Sequence, residues 1–427
     1  MKKHDYRKSK VGRHALEPET LMLGYGFDPR LSEGSVKIPI FLTSTFTYKT
    51  AEEGKRLFDY MAGRSEPPHG TTAGLIYTRF NNPNLQIVEE RLAVLEGAQA
   101  GAVFASGMAA ILTSLLATVS PGQSVMRSTP LYGGTETLFD RLLAGLGVKS
   151  ARFFDGCDPK AVRDAAKAAA AQGPVAAIFV ETPANPTNSI VDLELIAEVA
   201  REIEARQGER PRIIVDNTLL GPLYQSPLAH GADLVVYSLT KYVGGHSDLV
   251  AGACVGSTEL ITKVKSLRNL IGNQLDVHSA WMITRSLETL RLRMDQAFAN
   301  AEKVAAWLAG RPQVEKVFYP GFFAEGSREA AVVARQCGAF GATFSFTLAG
   351  GQPAAFRVLD RLEVFKQAVS LGGTESLACH PASTTHSGVP EADRRAIGIT
   401  DGLIRLSIGV EAAKDLIADL AKAMKAA

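Results

Sequence analysis

Lys241 follows directly on an apolar run in residues 234–242, LVVYSLTKY, and its type and place suggest chemistry. Burying a lysine as a cation is costly, so burial lowers its pKa. The neutral amine is then the nucleophile that an aldehyde cofactor held as a Schiff base requires. The alternative is a strand-end lysine that snorkels to water. Upstream, residues 212–218 (RIIVDNT) place Asp216 at the C-terminal end of a strand, the edge of an open α/β sheet where ligands bind. A carboxylate there can pair with a protonated pyridine nitrogen and keep the ring an electron sink, or it can cap the turn that follows. Ser106, Gly107 and Met108 lie between the strand AGAVFA and the helix start AAILTS. That junction offers a hydroxyl and free N–H groups to a phosphate, although a serine N-cap reads the same way. Ser238 and Thr240 can add two hydroxyl donors. Tyr132, in PLYGGT, can stack on a flat ring or simply pack. Arg405 is a cation inside the apolar strand LIRLSI and needs a partner, either a bidentate substrate carboxylate or a carboxylate of the protein.

These residues need elements to hold them. From residue 76 the chain alternates short β-branched runs with longer amphipathic segments: AGAVFA, GMAAILTSLLAT, VAAIFVE, LELIAEVAREIEAR, RIIVDN, LVVYSL, LVAGACVG. Continuous apolar strands separated by helices predict an α/β fold with a mostly parallel sheet covered on both faces. A helical stretch from 276 to 308 follows, then strand candidates ATFSFTLA, FKQAVSL and LIRLSIG with helices between them. The expected organisation is an N-terminal arm over 1–75, a large α/β domain over 76–280, and a smaller α+β domain with its bridging helix over 281–427. Residues 54–75 read as an irregular connection, and the basic opening with Lys2, Lys3, Arg7, Lys8, Lys10 and Arg13 reads as a solvated, poorly ordered terminus.

Composition narrows the function class. A chain of 427 residues, 46% hydrophobic and 21% charged, is more than one core usually organises. Its net charge of +2 gives no field for a nucleic-acid partner. No apolar run reaches membrane-spanning length and no signal-peptide stretch opens the sequence, so a soluble cytoplasmic protein is expected. Cys157, Cys254, Cys337 and Cys379 are widely spaced, which argues against a disulfide framework and against a metal site.

The combination closely resembles the Cys/Met-metabolism family of pyridoxal-phosphate enzymes, the γ-family of fold type I. The resemblance runs from about Ile38 to the C-terminus and rests on YTRFNNPN (77–84), ASGMAA, PLYGGT, ETPANPT, VDNT, SLTKYVGGHSDLVAG, SLGGTESLACHPASTTHS and LIRLSIGVE. It implies a fold type I transferase-like architecture and pyridoxal 5'-phosphate (PLP) as cofactor, bound covalently by Lys241 with Asp216 on the pyridine nitrogen. Ser106, Gly107, Met108, Ser238 and Thr240 would surround the phosphate, and Tyr132 would stack on the ring and serve the leaving group. Tyr77 and Arg79 would reach the phosphate of a neighbouring subunit, which implies a homotetramer built as a dimer of dimers. Arg405, with the backbone near Ser370, would hold the carboxylate of an amino-acid substrate. Every position expected to touch the cofactor carries a competent residue, which argues against a catalytically silent scaffold.

Within that family the expected reaction is α,γ-elimination from a sulfur amino acid, methionine first. Relatives that handle cystathionine usually carry acids where this chain has Ile76 and Val369, and a distal ammonium facing two aliphatic side chains would lose its partners. The methionine-cleaving branch carries a cysteine where this chain has Gly134 and a Lys-Asp pair where it has Arg268-Asn269, and the insertion ahead of Tyr77 is long. Cystathionine synthesis, acylhomoserine sulfhydrylation and cystathionine cleavage therefore stay open as reactions.

Overall fold

Seven strands pair into the larger of two main sheets, and the ends of its central strands define the site. The computed structural model describes residues 6–61, 63–65 and 74–426. Two short strands, β1 (Lys10–Val11) and β2 (His14–Ala15), form an antiparallel hairpin near the start. The large sheet comprises β3 (Ala100–Phe104), β4 (Ser124–Ser128), β5 (Lys149–Phe153), β6 (Val175–Glu181), β7 (Arg212–Asp216), β8 (Leu234–Ser238) and β9 (Gly252–Gly256), in the order β3-β9-β8-β7-β6-β4-β5. Strand β9 runs antiparallel to both of its neighbours, and the remaining pairs are parallel. Alternate side chains enter different cores, as the two-residue period of a strand demands. Phe179 packs with Phe104, Val125 and Val236, whereas Ile178 and Val180 pack with Val162, Ile196 and Val215. Both faces are thus covered, which is why β3, β6, β7, β8 and β9 read as apolar runs.

The second sheet comprises β10 (Val314–Phe318), β11 (Thr343–Leu348), β12 (Lys366–Gln367), β13 (Leu377–Cys379) and β14 (Leu403–Ser407), ordered β10-β11-β14-β13-β12. The strand expected over FKQAVSL shrinks to two residues because the chain turns away at Ser370, which has φ of 84°. The helix expected from 276 to 308 is two helices, Val277–Leu287 and Leu290–Ala309, separated at Glu288 and Thr289. Their apolar faces join the sheets: Leu287, Leu290, Met294 and Val304 share one core with Val235 and Val255 of the large sheet and Phe344, Phe346 and Leu406 of the small one.

The N-terminal region departs from expectation in two places. Residues Ala51–Met61 form a helix that runs into the stretch read as irregular. Gly54 lies within this helix, and a Cβ there would lie 2.8 Å from the Tyr48 ring, so the glycine serves close packing. Within that stretch residues 62 and 66–73 lie outside the described residues, as do Lys2 and Lys3. The basic opening is also docked in part: Arg7 pairs with Glu90 at 2.9 Å, and Gly26 N–H donates to the Tyr6 carbonyl at 2.8 Å. Cys157, Cys254 and Cys379 are buried as free thiols, and Cys337 is half-buried. Among the described residues no helix is long and apolar enough to cross a membrane.

Candidate active site

The chain leaves β3, β6, β7 and β8 around one cavity of about 200 Å³, lined by Ser106, Gly107, Met108, Tyr132, Glu181, Asn185, Asp216, Thr218, Ser238, Thr240, Lys241 and Leu371, among others. At one end, Ser106 caps the helix Gly107–Leu116 by accepting from Ala109 N–H at 3.0 Å. The hydroxyl expected to face a phosphate is thus the helix N-cap. The first-turn N–H groups of such a helix have no acceptor within it and suit an anion. Close backbone approach builds this cradle: a Cβ on Gly107 would lie 2.8 Å from Ser238 Cβ, and one on Gly252 would lie 2.1 Å from the Ser106 carbonyl. The Thr240 hydroxyl exchanges hydrogen bonds with the Ala251 backbone at 3.2 and 3.0 Å.

Lys241 sits in a tight turn after β8, closed by Gly245 N–H donating to the Lys241 carbonyl at 2.7 Å. Its amine donates to Ser370 Oγ at 2.8 Å. Burial, aided by the positive charge of Arg405, brings its pKa down to about 8. The turn is clamped from behind by Arg293, which donates to the carbonyls of Tyr242 at 2.7 Å, Val243 at 3.3 Å and Ser286 at 2.9 Å. Gly245 has φ of 70°, and a Cβ there would overlap the Arg293 guanidinium at 1.8 Å.

Asp216 ends β7, and its Oδ1 accepts from Thr218 N–H at 3.1 Å and Thr218 Oγ1–H at 2.6 Å. Thr218 Oγ1 in turn accepts from Ser238 N–H at 2.9 Å. Beside it on β6, Glu181 accepts from the N–H groups of Tyr132 at 2.7 Å and Asn185 at 2.9 Å. Burial pushes both carboxyl pKa values up, and the nearness of Asp216 pushes Glu181 further. A cation held against Asp216 would reverse that shift, which makes the position a receptor for a protonated ring nitrogen.

Arg405 enters from β14 and is buried. It donates to Asn185 Oδ1 at 3.1 Å and to the Ser370 carbonyl at 2.7 Å, while its Nε is buried without a partner. Neither of those partners is a carboxylate, so the guanidinium retains donor capacity for one. Ser370 thus serves two cations, the amine through its hydroxyl and the guanidinium through its carbonyl.

The structure gathers Ser106, Gly107, Met108, Tyr132, Asp216, Ser238, Thr240 and Lys241 on one cavity, with Ser370 and Arg405 hydrogen-bonded at its edge. Tyr77, Arg79, Ile76 and Val369 are not among the lining residues. Arg79 donates to the Asn269 carbonyl at 2.7 Å and lies over the Phe80 ring at 4.5 Å, while Tyr77 is 40% exposed. Ile76 is buried beside them, its N–H on Asn81 Oδ1 at 3.2 Å. Val369 is 56% exposed in a separate depression with Phe356 and Thr384. Sequence reasoning missed Glu181, Asn185, Thr218 and Arg293. The first two stand in the quoted segment ETPANPT, and Thr218 closes VDNT. Arg293 gave no local signal.

The residues fit PLP: a glycine-built anion cradle, a buried amine of lowered pKa and a carboxylate ready for a pyridinium surround one space. The family described as Cys/Met metabolism PLP-dependent enzyme matches residues 19–425. An L-methionine gamma-lyase of Pseudomonas putida is 39% identical over 95% of this chain and 97% of its own, and a cystathionine gamma-lyase of Bacillus subtilis is 35% identical over 96% and 100%. The solved cystathionine gamma synthase of Xanthomonas oryzae pv. oryzae in complex with cystathionine superposes with a TM-score of 0.84 at 35% identity, covering 96% of this chain and 98% of that one. The relatives share the fold type I architecture and PLP chemistry at carbon–sulfur bonds and γ-substituents. With a matched span that includes Lys241, Asp216 and Arg405, the chain belongs to the Cys/Met-metabolism family of PLP-dependent enzymes.

Proposed function

We propose that the protein cleaves methionine by α,γ-elimination, with water yielding 2-oxobutanoate, ammonia and methanethiol. One observation carries this choice within the family. Among the described residues the acids lining the cavity are Glu181 and Asp216, both held by N–H or O–H donors at the strand ends, and the remaining wall includes Met108, Leu219, Val250 and Leu371. A thioether methyl is at home against such a wall, whereas a distal ammonium finds no free carboxylate there. The several methionine gamma-lyases among the relatives support the same reading.

Bound PLP would supply the electron sink that stabilises negative charge developing on the substrate. Arg405 grips the α-carboxylate through its unpartnered face, with Asn185 and the Ser370 carbonyl fixing its plane. Asp216 keeps the ring-nitrogen proton in place. The Lys241 amine, with its pKa near 8, alternates between base and acid around neutral pH, first at Cα and then at Cβ. Ser370 Oγ holds that amine between proton transfers. The Tyr132 hydroxyl would protonate the departing sulfur, and its backbone N–H is held by Glu181.

A second reading, γ-replacement on an acylated homoserine, is favoured by Gly134. A Cβ at that position would lie 2.6 Å from the Tyr132 ring. The cysteine expected in the methionine-cleaving branch would therefore displace this ring. Assaying methionine, cystathionine and O-acetylhomoserine with and without added thiol decides between them. A methionine kcat/KM below that for cystathionine sinks the first reading, and thioether formation from the acylhomoserine establishes the second.

The proposal extends to organisation: an arm to residue 75, a large domain to 280, and a cytoplasmic homotetramer. In it Tyr77 and Arg79 of one copy would complete the phosphate site of another, and Ile76 and Val369 would meet the far end of the substrate.

A further inference from the structure

We propose that Glu181 is the positioning residue that locks the ring-stacking tyrosine and the substrate-carboxylate arginine into one unit. Glu181 closes β6, and its register partner on β7 is Asp216, so the two carboxyls emerge side by side at the same sheet edge. Each Glu181 oxygen serves a different arm of the site. Oε2 accepts from Tyr132 N–H at 2.7 Å, where the chain turns into the helix Gly133–Thr137. Oε1 accepts from Asn185 N–H at 2.9 Å, and the Asn185 side chain in turn accepts from Arg405 Nη1 at 3.1 Å. The strand-end backbone is pinned too, by Glu181 N–H donating to Ser128 Oγ at 3.2 Å.

A carboxyl group is the side chain that offers two acceptor oxygens at this spacing. Glutamine has the same reach but presents one oxygen and one NH2, so one of the two backbone N–H groups would face a donor and lose its partner. Alanine would strand both. The link therefore depends on chemistry and not on size, and a loss at Glu181 should appear at two places that share no direct contact with each other. This rests on the reading of Arg405 as the carboxylate anchor, so the test includes that residue.

The experiment compares wild type with Glu181→Gln, Asn185→Ala and Arg405→Ala, each loaded with PLP. Two readouts are taken besides turnover. One is the visible circular dichroism of the bound cofactor, which reports ring orientation against Tyr132. The other is the affinity for glycine, an amino acid without a γ-substituent, titrated by the change in the cofactor's visible spectrum. Glu181→Gln is expected to change the dichroism and to weaken glycine about ten-fold, the effect of one lost hydrogen bond to a buried carboxyl. Asn185→Ala keeps its backbone N–H, so it should weaken glycine while leaving the dichroism as in wild type. A Glu181→Gln protein that alters one readout without the other, or neither, overturns the proposal. If that variant does not fold, an Asn185→Ala protein with wild-type glycine affinity overturns it equally. Unchanged glycine affinity in Arg405→Ala would instead refute the anchor and with it the Arg405 half of the link, leaving the Tyr132 half to the dichroism.

Discussion

Lys241 is kept at a cost to the fold. With a folded-state pKa near 8 against 10.5 in the unfolded chain, the apoprotein carries a penalty for the buried cation that is complete below pH 8 and fades as pH rises towards 10.5. Replacing it by methionine should abolish turnover while stabilising the apoprotein at pH 7 by on the order of 3 kcal/mol, a gain that vanishes above pH 10.5. Urea denaturation of the apo forms at several pH values measures this, and a variant less stable than wild type at pH 7 would contradict it. Asp216→Asn keeps the shape and removes the charge that retains the ring-nitrogen proton. Its kcat should fall by orders of magnitude with the fold intact. A variant within a few-fold of wild type would reduce Asp216 to a cap for Thr218. Both residues were legible in the sequence because each follows an apolar strand directly, so local pattern alone places it at the binding edge. Glu181 was not, since its meaning comes from lying next to Asp216 across a strand pair that joins residues far apart in the chain. Ser370 was half legible. A non-glycine residue at positive φ, bonded to two cations, emerges once three separate elements have met.

The turn after β8 depends on a helix that no local pattern associates with it. Arg293, on Leu290–Ala309, has no acidic partner among its hydrogen bonds and spends its donors on carbonyls around Lys241 and on Thr289. Burial lowers its pKa to about 10 without deprotonating it at neutral pH. Arg293→Lys keeps the charge but loses the fork, so we expect a stability loss of about 1–3 kcal/mol in urea. A kcat reduced more than cofactor affinity should accompany it, because the lysine turn loosens while the cradle at Gly107 is untouched. Equal losses in kcat and PLP affinity would count against this division. Strand existence was readable along most of the large sheet, where both faces are buried. Strands β4 and β5 escaped notice because Arg127, Lys149 and Arg152 interrupt their apolar pattern, β10 because it is largely exposed, and β13 because it is three residues long. The helix Ala51–Met61 was hidden by the cluster of Gly, Pro, His and Ser that follows it in the sequence.

At the scale of the whole molecule, Tyr77 and Arg79 lie away from the Lys241 cavity, and the proposal gives them the site of a second chain. Mixing Arg79→Ala with Lys241→Ala, under conditions of subunit exchange, should restore part of the activity in hybrids that hold one fully intact site. Proven exchange without recovery would mean that each site is built from a single chain. The shared core carries a different consequence. Leu287, Leu290 and Met294 lie between the sheets and contribute to a cluster that includes Val235 on one side and Phe344 on the other. A chain severed near residue 280 would split that cluster and strip each half of the surface it needs to fold. The two sheets should accordingly melt together. Calorimetry of the apoprotein is expected to show one cooperative transition, and no protease-resistant half should accumulate during its unfolding. Any loosening of the small sheet would then be felt at the base of the lysine turn, so that heat resistance and catalytic competence are lost at the same temperature.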